Sequence, residues 1–263
     1  MAEAGVSRAA AGGARRGGGG RLLSRVAVVF GAWVACEALA RSGLLYHGVV
    51  PSSLLVLRAL GDLLHDPEFY QSLSITLWEI GIGVLIGATT GWIAGIGLGT
   101  SRFLAKAYEP WLYYLGPTPK IIILPLLIML CGAGAGSKIA MGALSCFFPV
   151  ALSIATGMRE VDRTLVNVGR SFCLTPLQLL RFIYLPSSVG PTITGLRLGF
   201  GVAVIGILLS ETKVSRTGVG FLVIQAYERF DIPRMYALLI IIFGASALVN
   251  ILLGTIGDRL SRK

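Results

Sequence analysis

Long apolar runs separated by short polar or Gly/Pro-rich stretches dominate this chain. A membrane-crossing helix needs about 20 mostly apolar residues. Six stretches reach that length, near 23–45, 72–99, 111–131, 138–158, 189–210 and 235–257. The first contains Glu37 and Arg41, and the second is long for one crossing, so it is expected to tilt or to project from the bilayer. The third is preceded by Pro110, Pro117 and Pro119 and contains Pro125, so its start is expected to be irregular. Irregular backbone at membrane depth is tolerated only inside protein or beside a cavity. Residues 1–21 (MAEAGVSRAAAGGARRGGGGR) have no hydrophobic period and no signal-peptide cleavage pattern, and they read as a disordered basic cytoplasmic tail. The expectation is an all-α integral membrane protein, with residues 22–263 forming one transmembrane domain.

Composition agrees and narrows the choice. Of 263 residues, 54% are hydrophobic and only 14% charged, against about 25% charged in a soluble domain. A disordered chain would be poorer in apolar residues still. The net charge of +10 would suit a nucleic-acid binder only if the basic residues clustered on one wet face. Topology accounts for them instead. With a cytoplasmic N-terminus, 14 Lys and Arg fall in inside segments and 7 in outside segments, while Lys120 and Arg197 fall within spans. Six spans with both termini cytoplasmic is therefore the preferred arrangement. Residues 46–71 become an outside loop with a short amphipathic helix around 52–64, and 159–188 become the largest inside loop.

Several chemistries find no footing. Cys36, Cys131, Cys146 and Cys173 are widely spaced and read as buried small apolar side chains rather than a zinc or disulfide framework. His47 and His65, the only histidines, both sit in the outside loop, so no metal site is expected. The intramembrane protease motifs HExxH, GxGD and GxSG are absent, and so is the nucleotide motif GxxxxGK[ST]. The chain is not expected to be an enzyme. A secondary transporter or channel stays open as an alternative, although no internal repeat is evident.

Three constellations stand out. Gly83, Gly87, Gly91, Gly95 and Gly99 recur every four residues, which places them on one helix face where another backbone can approach closely. Helix packing is the main reading of this stripe and a substrate groove the other. In the inside loop, Asp162 is placed to cap a helix over RTLVNVGRSF. Thr175-Pro176-Leu177-Gln178 then forms a capping-box start for a second short helix, expected to stop at Leu185-Pro186. Apolar residues alternating with Arg163, Arg170 and Arg181 make this loop an amphipathic element seated on the membrane face and presenting one side to a partner. Finally, Lys120 and Arg197 within spans are functional candidates by position. Two cations on a shared cavity would attract an anion such as a sulfonate, nitrate or carboxylate; snorkelling toward the cytoplasmic face or structural pairing is the alternative. Glu211 is placed to fix the loop that follows it or a gate, and Glu79 has no evident partner.

The loop sequence LVNVGRSFCLTPLQLLRFIYLP resembles the cytoplasmic loop of permease subunits of bacterial ABC importers. That signature reads Glu-Ala-Ala, three residues, Gly, nine residues, Ile, one residue, Leu-Pro. Asn167, Val168 and Gly169 stand where Glu-Ala-Ala is expected and Cys173 where Gly is expected, while Ile183, Leu185 and Pro186 match. Pro117-Thr118-Pro119-Lys120, Leu124-Pro125, Ser137-Lys138 and Phe147-Phe148-Pro149 are similar to the sulfonate, taurine and nitrate branch of these permeases. So are Gly195-Leu196-Arg197, Glu211 and Thr217-Gly218-Val219-Gly220, and the likeness covers about residues 70–257. The resemblance implies a six-span type I importer fold in the bacterial inner membrane, paired with a second permease subunit as a homodimer. It implies a cytoplasmic ATPase dimer that holds ATP and Mg, since this chain holds no cofactor itself, and a periplasmic or extracellular substrate-binding protein. Residues 163–186 would be the coupling helix that docks on the ATPase. The lost acid at Asn167 replaces a charge-assisted contact with a neutral hydrogen bond, roughly half as strong. Cys173 carries a backbone penalty of order 1 kcal/mol if the turn needs positive φ.

Overall fold

The computed structural model describes Gly31 and residues 51–260. The tail at 1–21, the apolar run at 23–45, Cys36 and His47 lie outside the described residues. Two compact units divide the chain, one ending at Ala59 and the other running from Leu60. Helix α1 (Ser53–Leu64) crosses that division. The account below concerns the second unit.

Helix α2 (Pro67–Thr100) starts where Asp66 accepts the Glu68 backbone N–H at 3.0 Å and Pro67 occupies the first turn, where a missing N–H costs nothing. Nothing interrupts it for 34 residues, so it extends to about 50 Å, well beyond a hydrocarbon core of about 30 Å. Ser101 then serves two helices. Its N–H bonds the Gly97 carbonyl to close α2, and its hydroxyl accepts the Leu104 N–H to open α3 (Arg102–Leu115).

The run at 111–131 is not one continuous helix. α3 already starts at Arg102 and carries Pro110 in its interior, and Gly116-Pro117-Thr118-Pro119 then breaks the chain. A 3₁₀ turn at Lys120–Ile123 leads into α4 (Leu124–Cys131), and the two halves meet at 96°. The irregularity falls after the proline pair at 117 and 119 rather than at Pro110, because two prolines so close remove donors from successive turns. Four helices among the described residues are long and apolar enough to cross a membrane, or five if this bent pair counts as one. Besides α2 they are α5 (Ala135–Arg159), a helix at Val189–Val214, and the segment Ile232–Gly257 of the last helix.

Between α5 and the Val189 helix the chain forms α6 (Arg163–Ser171), α7 (Pro176–Leu179), a π-turn at Leu180–Tyr184 and α8 (Leu185–Ser187). The expected stop at Leu185-Pro186 is therefore overturned. The π-turn directs the Leu185 N–H to the Leu180 carbonyl, and Pro186 falls in the first turn of the next helical piece, where its ring is tolerated. The chain runs on as α9 (Val189–Val214), α10 (Val219–Glu228) and α11 (Ile232–Leu260).

α5 is the centre of the unit, packed along its length by α2 and α9. Met141, Cys146, Ala151, Ile154 and Ala155 on it are fully buried. The glycine stripe of α2 lies on this helix. A Cβ built at Gly91 would sit 2.8 Å from the Phe147 carbonyl oxygen, and one at Gly95 would sit 2.8 Å from that of Ala151. Gly83, Gly87 and Gly99 face the same helix, so the stripe is filled by α5 backbone and leaves no groove. A second cluster gathers Leu63, Phe69, Val219, Leu222 and Leu238, seating α10 against α2 and α11. Among the described cysteines, Cys146 is buried as expected, whereas Cys131 and Cys173 are exposed.

Candidate functional site

Two polar regions mark opposite ends of the packed helices. The first is the 159–188 loop. The Asp162 carboxylate accepts the Thr164 N–H at 2.8 Å and opens α6, and that backbone hydrogen bond holds its pKa below the ordinary carboxylate value. The other end closes through two reversed bonds, Cys173 N–H to the Arg170 carbonyl at 2.9 Å and Leu174 N–H to that of Gly169 at 3.1 Å. This pairing needs a left-handed residue at Cys173, whose φ is +54°. Thr175 and Gln178 then cap α7 reciprocally, with the Thr175 N–H donating to Gln178 Oε1 at 2.8 Å. Gly169 is buried against Leu174, Leu179 and Ile183, which clamps α6 onto the helical piece that follows.

With 100° per residue, α6 resolves into two opposed faces. Leu165, Val168 and Phe172 share one, and all three are exposed, Phe172 by 78%. Arg163, Val166, Asn167 and Arg170 share the other and line a cleft of about 530 Å³. Leu177 and Phe182 extend the exposed apolar surface. Cys173→Gly should stabilise the protein by about 1 kcal/mol, because a left-handed β-carbon costs about that much. Thermal unfolding of the solubilised chain should then show a higher midpoint, whereas Cys173→Ala, which keeps the β-carbon, should leave it unchanged.

The second region is a buried polar cluster where α2, α5 and α9 meet the loop before α10. Glu79 and Lys138 are 1% and 4% exposed, and Lys138 Nζ lies 2.5 Å from Glu79 Oε1. Lys138 also donates to Ser215 Oγ at 3.1 Å. Glu79 makes no well-aligned hydrogen bond among the described residues, so the lysine is its one charged partner. Glu211, fully buried, accepts from Thr76 Oγ1 at 2.7 Å and from the Gly220 N–H at 2.7 Å, while Thr76 Oγ1 accepts the Val219 N–H at 2.9 Å. A cleft of about 520 Å³ opens beside Glu79, Lys138, Ser215 and Thr217.

Glu211 thus holds the following loop, through the start of α10. Glu79, which had no partner in the sequence reading, is paired with Lys138. Lys138, at the edge of the apolar run at 138–158, is in the helix and buried. A carboxylate and an ammonium at matching depths of two apolar helices were the available signal, but nothing in the linear sequence sets the facing register.

The two span cations have separate partners. Lys120 donates to the Gly116 carbonyl at 2.5 Å and lies 5.0 Å from the centroid of the Phe148 ring. Arg197 donates to Asn250 Oδ1 at 3.1 Å and packs its guanidinium over Gly254. No group of His, Cys, Asp and Glu that could hold a metal occurs among the described residues.

Residues 87–263 match the family model described as binding-protein-dependent transport system inner membrane component. The chain is 31% identical over 86% of its length, and 91% of the relative's, to a probable ABC transporter permease protein of Haemophilus influenzae. It is 29% identical over 82% of its length to a putative aliphatic sulfonates transport permease of Bacillus subtilis, covering 77% of that protein. A taurine transport system permease of Escherichia coli is 30% identical over 62% of this chain and 59% of its own. Among solved structures, an inward-facing form of the MetNI methionine ABC transporter matches with a TM-score of 0.57 at 18% identity, covering 80% of this chain and 96% of the matched one. That likeness concerns the fold.

Proposed function

Because the chain belongs to the family of binding-protein-dependent transport system inner membrane components, a transport permease rather than an enzyme, we propose that it forms the path of an ATP-driven importer for a small anionic solute of the sulfonate, taurine or nitrate kind. In this reading it works as a pair of identical permeases, with ATP and Mg bound on a separate ATPase and solute delivered by a binding protein. Both termini face the cytoplasm, so the 159–188 loop is cytoplasmic and the Glu79–Lys138 end faces outward.

The observation that carries the reading is the exposed apolar face of α6, Leu165, Val168 and Phe172, held on a helix fixed at both ends. A short helix whose apolar side is left uncovered by the rest of the chain while its caps are satisfied is built to lie in a partner's groove. Asp162, Thr175, Ile183, Leu185 and Pro186 serve by holding that helix in place, and Cys173 supplies its turn. Asn167 and Gly169 lie off the apolar face, so the missing acid at 167 falls outside the docking stripe. Lys120, Arg197 and Glu211 position backbone and helices in this account; a direct role of Lys120 or Arg197 along the path would rest on conformations that release them from their present partners.

Leu165→Asp combined with Val168→Asp places two charges in the proposed contact. The variant permease should extract and purify as before, yet retain at least tenfold less of the ATPase encoded with it and lose ATP-dependent uptake. Unchanged ATPase retention, or uptake by the permease alone without ATP, would overturn the reading.

A further inference from the structure

The cleft on the other face of α6 is strongly basic. Arg102, Arg159, Arg163 and Arg170 line it together with Thr100, Asn167 and Tyr184, and no acidic side chain does. Arg159 pairs with Glu109. The other three arginines have no carboxylate within ion-pair distance among the described residues, and the nearby Asp162 is committed to its cap. Three arginines without an ion-pair partner among the described residues, lining one concave site, suit a phosphate, because each guanidinium can offer two parallel N–H donors to its oxygens.

The location selects the source of that phosphate. Gly99 and Thr100 close α2, and Met158 and Arg159 close α5, so the cleft is floored by the last turns of two crossing helices. Beside it α3 begins, with Phe103 78% exposed and Tyr108 also exposed, a surface suited to acyl chains. The cleft lies on the side of α6 turned away from Leu165, Val168 and Phe172, so an ATPase seated on that stripe would leave it open.

We propose that this cleft binds the headgroup of an anionic phospholipid and so ties α6 to the ends of α2 and α5 at the bilayer surface. The assignment rests on the reading above that this end of the helices faces the cytoplasm, where anionic headgroups attract basic pockets between spans. The bound lipid would hold α6 at the height at which its apolar face is presented.

The test uses the whole permease with its ATPase, in neutral phosphatidylcholine nanodiscs containing a small fraction of phosphatidylglycerol, with retained lipid measured by native mass spectrometry. Wild type should retain phosphatidylglycerol over phosphatidylcholine by about tenfold, and Arg102→Gln, a change outside the 163–186 segment, should lower that preference at least threefold while ATPase retention stays at the wild-type level. Adding Arg170→Gln should lower the lipid preference further, and that variant is read for lipid alone because Arg170 belongs to the docking segment. Equal phosphatidylglycerol retention by wild type and variant would overturn the site. Loss of ATPase retention with lipid retention unchanged would overturn it too and give the cleft to the ATPase. Binding of inorganic phosphate that ignores the lipid headgroup would overturn it in favour of a soluble ligand. ATPase retention that persists without lipid preference would sink this inference and leave the permease reading intact.

Discussion

Glu79→Ala is expected to cost about 3–5 kcal/mol, because it strands the Lys138 ammonium in a site where that side chain is 4% exposed. Lys138→Ala should do the same from the other side. The charges themselves contribute little net stability, since the desolvation of both offsets much of their attraction. Glu79→Leu with Lys138→Met should therefore restore most of the loss, although Ser215 Oγ would lose the ammonium as a partner. Denaturant titration of the solubilised protein compares the three variants directly. A double variant as unstable as the single ones would show that the pair is held by something other than mutual neutralisation.

The pair has a mechanical consequence. Glu79 is on α2, Lys138 is near the start of α5, and Ser215 follows α9, so one ammonium links the three helices that pack together at this end. If alternating access requires these ends to part, separating them exposes two charges to water, where they are well solvated. The buried pair then fixes how the closed ends meet, without making opening prohibitive. The double apolar variant should fold well and transport differently, this end of the helices favouring closure through apolar contact alone.

How far the residues announced this structure differs from place to place. Caps are local, so Asp162 with Thr164, and Thr175 with Gln178, were legible from spacing: the side chain reaches only two or three residues along the chain. The glycine stripe was legible for a related reason, since a four-residue period fixes a helix face, though it did not say which helix fills it. The break after Leu115 was half legible: proline density marks a disruption, but whether Pro110 or the pair at 117 and 119 makes it depends on how each carbonyl is satisfied. The π-turn at Leu180–Tyr184 left no signal, because an i to i+5 bond is chosen by the packing of Ile183 on Gly169 and the needs of Pro186. α10 was missed as well; a ten-residue apolar helix after Gly218 is too short to separate from the ends of spans by hydropathy. The Glu79–Lys138 pair is a tertiary contact, and register between helices is set by the summed fit of many side chains.

Glu211→Ala should be the most disruptive change at the start of α10. It removes the acceptor of the Thr76 hydroxyl and of the Gly220 N–H, two buried donors, and each costs about 1–3 kcal/mol when left unpaired. Water cannot readily replace the carboxylate, because the fully buried Glu211 fits into room left by Gly218 and Gly220. A Cβ built at Gly220 would lie 2.9 Å from Oε2, and Gly218 adopts φ +105°, a conformation that disfavours any side chain. Glu211→Gln should be milder. Its carbonyl can accept from the Gly220 N–H and its amide can donate to Thr76 Oγ1, so only the Thr76 hydroxyl hydrogen loses its acceptor. The expected order in a denaturant titration is wild type, then Gln lower by about 1–3 kcal/mol, then Ala lower by about 2–6 kcal/mol. Hydrogen exchange should locate the Ala defect at Val219 and Gly220, with α2 and α5 still protected along the glycine stripe. A Gln variant as damaged as Ala would mean that the negative charge, rather than the hydrogen-bond geometry, is what this end of the permease requires.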